Sequence, residues 1–236
     1  MTPSAASLMT QLEEHADARQ AQRATRFFKT GPGEYSHGAV FIGVTMPILR
    51  VLARQNDNAA LADAEQLLRS EIREARLLAL LIMVNQFRMG DQAARDAVAG
   101  AYLDNIRWVN DWSLVDSSAH LILGPWLADG RRSKLDDLAR SADWWERRIA
   151  IIATFHYIRQ NEFADTLRIA QLLLADREDL IHKATGWMLR EVGNRNRDVE
   201  EAFLAAHYRQ MPRTMLRYAI EKFPEPRRQQ YLRGEA

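Results

Sequence analysis

The sequence predicts an all-α protein built from stacked helix pairs, a repeat solenoid of the α–α superhelix kind. Three observations carry this. Apolar residues recur at helical spacing along most of the chain, while the 7 prolines and 11 glycines fall largely between the periodic segments. A short pattern returns at steps of about 34 to 36 residues, the range of two-helix repeats. No segment has the strict alternation and β-branched richness of a strand pair.

Residues 4–24 read as a first helix. A break follows, from Lys29 through Thr30-Gly31-Pro32-Gly33-Glu34-Tyr35-Ser36-His37 to Gly38. A new helix starts near Thr45, a suitable N-cap, with Pro47 in the first turn where a missing N–H costs little. The repeats come next. Leu68-Arg69-Ser70 followed by Arg76-Leu77-Leu78-Ala79-Leu80 aligns with Ala139-Arg140-Ser141 followed by Arg147-Arg148-Ile149-Ala150-Ile151. The intermediate copy is Trp112-Ser113-Leu114-Val115-Asp116, and the next is Lys183-Ala184-Thr185-Gly186-Trp187. A weaker copy surrounds Arg217-Tyr218-Ala219-Ile220. Met211-Pro212-Arg213-Thr214 starts a terminal helix, or caps the end of the stack. One domain is therefore expected over 1–236: an N-terminal helix and Gly-rich loop in 1–45, HEAT-like helix pairs in 46–225 and a C-terminal tail in 226–236. Such stacks leave a curved inner surface lined by the second helix of each pair, suited to long polymers. Fold alone does not say which polymer.

Composition narrows the classes. Hydrophobic residues make up 47% and charged residues 27%, ordinary for a folded domain. The formal net charge is only +1. Its distribution is uneven, because residues 181–236 hold 11 Lys and Arg against 7 Asp and Glu. That basic end, with Arg195, Arg197, Arg213, Arg217, Arg227 and Arg228, suits a phosphate backbone and equally suits a solvated arginine-rich surface. The absence of cysteine excludes disulfides, thiolate metal sites and cysteine nucleophiles. No H-E-x-x-H or similar spacing joins the six histidines, so no metal is expected. There is no secretory-signal pattern, and no apolar run nears the roughly 20 residues that span a bilayer. A cytoplasmic protein of the bacterial type, associated with the nucleoid through its function, is the expectation.

Some repeat positions carry residues that packing alone does not call for. Residues four apart share a helix face. Those equivalent pairs are Trp112 with Asp116, Arg147 with Ile151 and Lys183 with Trp187, with Arg148 near the same seam. Indole faces attract cations and stack on sugars or bases, worth roughly 0.5 to 2 kcal/mol per contact. A carboxylate stabilises developing positive charge, and arginine anchors phosphate with paired hydrogen bonds. Together they suit a cationic ligand on a phosphate backbone, and an anion beside the sugar favours an oxocarbenium-like transition state. The same residues also fit a structural arrangement: Trp112 and Trp187 in the packing, Asp116 at a helix surface, Arg148 paired with Glu146 or Asp143.

At these positions the sequence resembles the AlkD-like DNA alkylation repair glycosylases. The matching segments are Trp112-Ser-Leu-Val-Asp116, Trp144-Trp-Glu-Arg-Arg148-Ile-Ala-Ile151 and Ile181-His-Lys-Ala-Thr-Gly-Trp187-Met-Leu-Arg-Glu191. The likeness runs from about residue 40 to 225. It implies a concave DNA-binding surface and excision of 3-methyladenine and 7-methylguanine type lesions from duplex DNA, with no metal or cofactor; the repeat ends suggest a monomer. Carried over, Trp112 and Trp187 contact the lesion's deoxyribose, Asp116 stabilises the oxocarbenium ion or positions the attacking water, and Arg148 holds a phosphate. Arg147, Lys183, Arg190, Lys29, Arg213 and Arg217 are the further DNA-contact candidates. The resemblance also implies that the modified base is not buried in a pocket, since a cationic base already leaves readily. The Lys29–Gly38 segment departs from the pattern and reads as a phosphate-touching loop or a rigid connector. A DNA-binding protein of the same fold without glycosylase activity is the alternative.

Overall fold

The computed structural model describes residues 2–128 and 130–236. They cluster into two compact units, Met1–Ser118 and Ala119–Ala236. Among the described residues there is no strand, only an isolated parallel bridge between Val40 and Ile72.

The first unit contains α1 (Ala5–Glu13), α2 (Ala18–Phe27), α3 (Met46–Gln55), α4 (Leu61–Leu68), α5 (Arg73–Met89), α6 (Gln92–Asp104) and the opening turns of α7 (Trp112–Leu127). The stretch expected as one helix over 4–24 is two. The Asp17 carboxylate accepts the Arg19 and Gln20 amides at 2.8 and 3.0 Å and its own N–H donates to the Ile42 carbonyl at 2.9 Å, so the chain restarts there. Thr45 does stand at the N-cap of α3 with Pro47 in the first turn, although its hydroxyl makes no cap bond. At the centre is α5, packed by α3, α4 and α6, with Leu77, Leu78, Leu80, Ile82 and Met83 all fully buried. Each such side chain contributes about 1.5–3 kcal/mol on leaving water.

The second unit contains α8 (Lys134–Ala139), α9 (Trp144–Ala153), α10 (Phe155–Ile158), α11 (Ala164–Leu172), α12 (Asp179–Arg195), α13 (Arg197–His207), α14 (Arg213–Ala219) and α15 (Glu225–Arg233). Here α12 is central, packed by α9, α13 and α14. Gly186 makes the α14 contact possible: a Cβ there would lie 2.4 Å from the Met215 carbonyl oxygen. The stretch 226–236, expected as a tail, is mostly the helix α15. Tyr231 anchors it, 2% exposed and edge-on to Phe223 and Tyr208 with centroids 5.6 and 5.4 Å away. One aromatic on an otherwise polar stretch was too little periodic signal to mark it.

The repeat read from the sequence follows these elements. Its copies fall on α5, α7, α9, α12 and α14.

Candidate active site

In the first unit, α7 begins with the site residues. Asp111 caps it, accepting the Ser113 amide at 2.9 Å and the Ser113 hydroxyl. The same carboxylate lies 3.7 Å from the Arg73 guanidinium and accepts the Ser36 hydroxyl at 3.2 Å. Ser36 is itself buried, so the Gly-rich loop is fastened to the start of α7. Gly33 and Gly38 take the left-handed conformation (φ +78° and +79°), as does Lys29 (φ 52°), whose side chain is exposed.

One helical turn apart, Trp112 and Asp116 are half-buried and line the same cavity of about 550 Å³. Its other walls come from α2, α3, α5 and the segment before α3. Phe28 stacks on Trp112 at 5.2 Å between centroids and 21° between planes, and on Phe41 at 5.1 Å and 26°. Phe27 meets Trp112 edge-on at 5.8 Å and is 65% exposed. Arg73 lies over Phe28, 4.7 Å from its centroid. Burial pushes its guanidinium below the usual arginine range, with Asp111 and Glu74 opposing that shift. Glu74 also lines the cavity, and its Oε1 accepts the Gly43 amide at 2.8 Å.

Sequence reasoning missed this aromatic wall and the Arg73–Glu74 pair. The signal was present. Phe27-Phe28 closes the arginine-rich helix α2, which has no buried residue of its own, so an apolar pair there needs another partner.

In the second unit, Arg148 is 4% exposed and donates through Nη1 to the Leu180 carbonyl at 2.6 Å. Arg147, expected on DNA, has its guanidinium engaged inside the protein. Asp176 accepts Nε and Nη2 at 2.6 and 3.3 Å, while the Ser141 and Ala142 carbonyls accept Nη1 at 2.9 and 3.0 Å. Lys183 pairs with Asp179 one turn back on α12 at 2.8 Å. That Lys183 bond holds the Asp179 carboxyl below its ordinary range, helped by Thr214. Trp187 is half-buried, donates to Glu191 Oε1 at 2.9 Å and lies 6.0 Å from Phe155 between centroids. Arg190 is paired with Glu221, and Arg213 donates to the Leu232 carbonyl at 2.8 Å. Arg217 is exposed.

No group of His, Asp and Glu suited to a metal ion occurs among the described residues. Among the described residues no helix is long and apolar enough to cross a membrane.

The family model of the DNA alkylation repair enzymes matches residues 8–223. The chain belongs to that family. A solved structure described as a predicted DNA alkylation repair enzyme from Enterococcus faecalis has the same fold, with a TM-score of 0.66 and 16% identity over 89% of this chain and 98% of that one. No curated protein matches the chain. In this family member the all-α helix-pair architecture places an indole and a carboxylate on one cavity of the first unit, while Arg148 and Trp187 fall in the second.

Proposed function

We propose that this DNA alkylation repair family member is a monofunctional glycosylase, hydrolysing the N-glycosidic bond of alkylated, cationic purines in duplex DNA. The observation that carries the reading is the placement of Trp112 and Asp116 one turn apart on α7, both lining one cavity. Family membership over residues 8–223 supports DNA as the substrate.

The chemistry follows from the leaving group. Alkylation at N3 or N7 leaves the purine cationic, so it departs neutral and needs no general acid. The barrier then lies in the positive charge that grows on the deoxyribose. A carboxylate beside the sugar stabilises that charge, and a fixed anion in a partly dry site is worth far more than one in water. Asp116 takes this role and directs the attacking water. The Trp112 indole offers an electron-rich face to the same sugar. By the family resemblance Trp187 contacts the deoxyribose and Arg148 a phosphate, while Lys183, Arg190, Arg213, Arg217 and, outside the stretch of likeness, Lys29 are the further candidates for the backbone. Arg147, held by Asp176 and two carbonyls, fits a structural clamp better than a phosphate contact. No metal or cofactor takes part in this scheme, and a monomer acting in the cytoplasm suffices for it.

Incubation of the protein with a duplex holding one 7-methylguanine, followed by chromatography of the small molecules, tests the reading. Free 7-methylguanine is expected in the supernatant, with an abasic site left in the strand. Tight, salt-sensitive binding without base release would make the protein a binder of damaged DNA and end the enzyme reading.

A further inference from the structure

Helix α2 borders the cavity of the first unit, yet none of its own residues is buried. It is seated at its two ends. Before the first turn, the Asp17 amide donates to the Ile42 carbonyl at 2.9 Å, and the chain at Gly43 passes so close that a Cβ there would lie 2.0 Å from the Asp17 carbonyl oxygen. Just past the last turn, Phe28 is buried, stacked on both Phe41 and Trp112. A helix pinned in this way holds its side chains out on a fixed backbone. Those side chains are cationic: residues 18–29 include Arg19, Arg23, Arg26 and Lys29 and no Asp or Glu, and all four cations are exposed. Like charges three and four residues apart destabilise a helix, and an anionic partner relieves that repulsion.

The cavity side of α2 indicates the partner. Gln20, Arg23, Ala24 and Phe27 line the same cavity as Trp112 and Asp116. Arg73 also lines it, but that guanidinium is bonded to Ser113 and lies 3.7 Å from Asp111. A carboxylate set beside a deoxyribose also stands near the phosphates that flank the sugar, and these anions repel. A cation on the same cavity offsets the repulsion, and Arg23 is the exposed one. Phe27, one turn on, is 65% exposed and edge-on to Trp112, so the two rings form an apolar lip. We propose that α2 grips the damaged strand: Arg23 binds a phosphate flanking the lesion's deoxyribose and Phe27 packs against the sugar, with Arg19 and Arg26 on the same strand. From Arg19 to Arg26 the helix rises about 10 Å, which matches about three nucleotides at roughly 3.4 Å each. The base stays outside the cavity, as the family resemblance implies. The choice of DNA as the occupant rests on the excision reading above.

The test uses a duplex that resists cleavage, with one 2′-fluoro-2′-deoxy-7-methylguanosine whose fluorine disfavours the sugar cation. Fluorescence anisotropy of the full chain across a salt series reads its affinity. Arg23→Gln should lower the salt slope by about 0.9, the value of one phosphate contact, and Arg23→Lys should restore it. Phe27→Ala should weaken binding about three- to tenfold at every salt concentration and leave the slope unchanged. A neutral methylphosphonate locates the contact. At one phosphate flanking the modified nucleotide it should weaken wild-type binding and leave Arg23→Gln unaffected. The proposal is overturned by a wild-type chain that does not bind, by an unaltered slope in Arg23→Gln or unaltered affinity in Phe27→Ala with normal melting curves, or by full additivity at both flanking phosphates. Because this duplex is not cleaved, the two readings fail separately. Base release from a 7-methylguanine duplex with an unaltered Arg23→Gln slope refutes the grip alone. A lowered slope without base release retains the grip and refutes the excision reading.

Discussion

Gly186→Ala isolates the packing that positions Trp187. In the interior of a helix, alanine is normally favoured over glycine by about 0.8–1 kcal/mol. At Gly186, however, a new Cβ would lie 2.4 Å from the Met215 carbonyl oxygen, 2.6 Å from Tyr218 Cβ and 3.2 Å from the Ala219 amide nitrogen. Ordinary carbon contacts begin near 3.5 Å, so α12 and α14 must separate by roughly 1 Å. Two of these neighbours are backbone atoms, which cannot turn aside as a flexible side chain can. Overpacking of this kind costs about 1–3 kcal/mol, and the backbone clash places Gly186 at the upper end. The net loss is expected to be about 2 kcal/mol, or about 4–8 °C in Tm for a chain of this size. Gly100, inside α6, supplies the control: a Cβ there meets nothing within 4 Å, so Gly100→Ala should stabilise by about 0.4–1 kcal/mol. Urea unfolding followed by far-UV circular dichroism measures both. A Gly186→Ala variant as stable as wild type would show that the α12–α14 approach is not tight, and the account of Gly186 would be wrong.

Three further outcomes follow from the same geometry. Glu200 is fully buried, and burial pushes its carboxyl from 4.5 up to about 8 against the pull of Arg197. A raised folded-state value means stability present at low pH and lost as pH climbs from about 4.5 through 8. Glu200→Gln should flatten that decline in a pH series of melting curves; an unchanged slope would remove Glu200 as its source. Arg148→Ala should weaken duplex binding and lower the salt slope of affinity by about 0.9, the value of one phosphate contact. An unaltered slope would assign Arg148 to packing within the protein, where it bonds the Leu180 carbonyl. Arg147→Ala should destabilise the fold, because it leaves the buried Asp176 carboxylate without its guanidinium. A loss of DNA affinity at unchanged stability would instead make Arg147 a DNA contact.

The helix-pair plan was legible because each repeat buries one stripe of a helix, and a buried stripe must recur at helical spacing. The repeat copies that hold Trp112, Arg147 and Lys183 fall on α7, α9 and α12 for the same reason. Partners were not legible. Arg147 and Arg148 are adjacent and chemically identical, yet one is clamped by Asp176 and the other bonds a backbone carbonyl of α12. Only the fold decides which acceptor stands within reach. The break at residues 14–17 carries one local signal, Asp17 at the N-cap of α2, but it is also tied by the Asp17 amide to the Ile42 carbonyl, 25 residues away, a bond that no local pattern encodes. Phe27, Phe28 and Phe41 were passed over for a related reason. They lie outside the repeats, and their meeting with Trp112 is a long-range contact.

The account turns on Asp116 as the anion that stabilises the sugar cation. The most direct measurement is the single-turnover rate of 7-methylguanine release by Asp116→Asn, taken beside its duplex affinity. Removing one such electrostatic contact should slow excision by about 10²–10³-fold while duplex affinity stays within about threefold. Release at the wild-type rate, or a loss of rate matched by an equal loss of affinity, would contradict it.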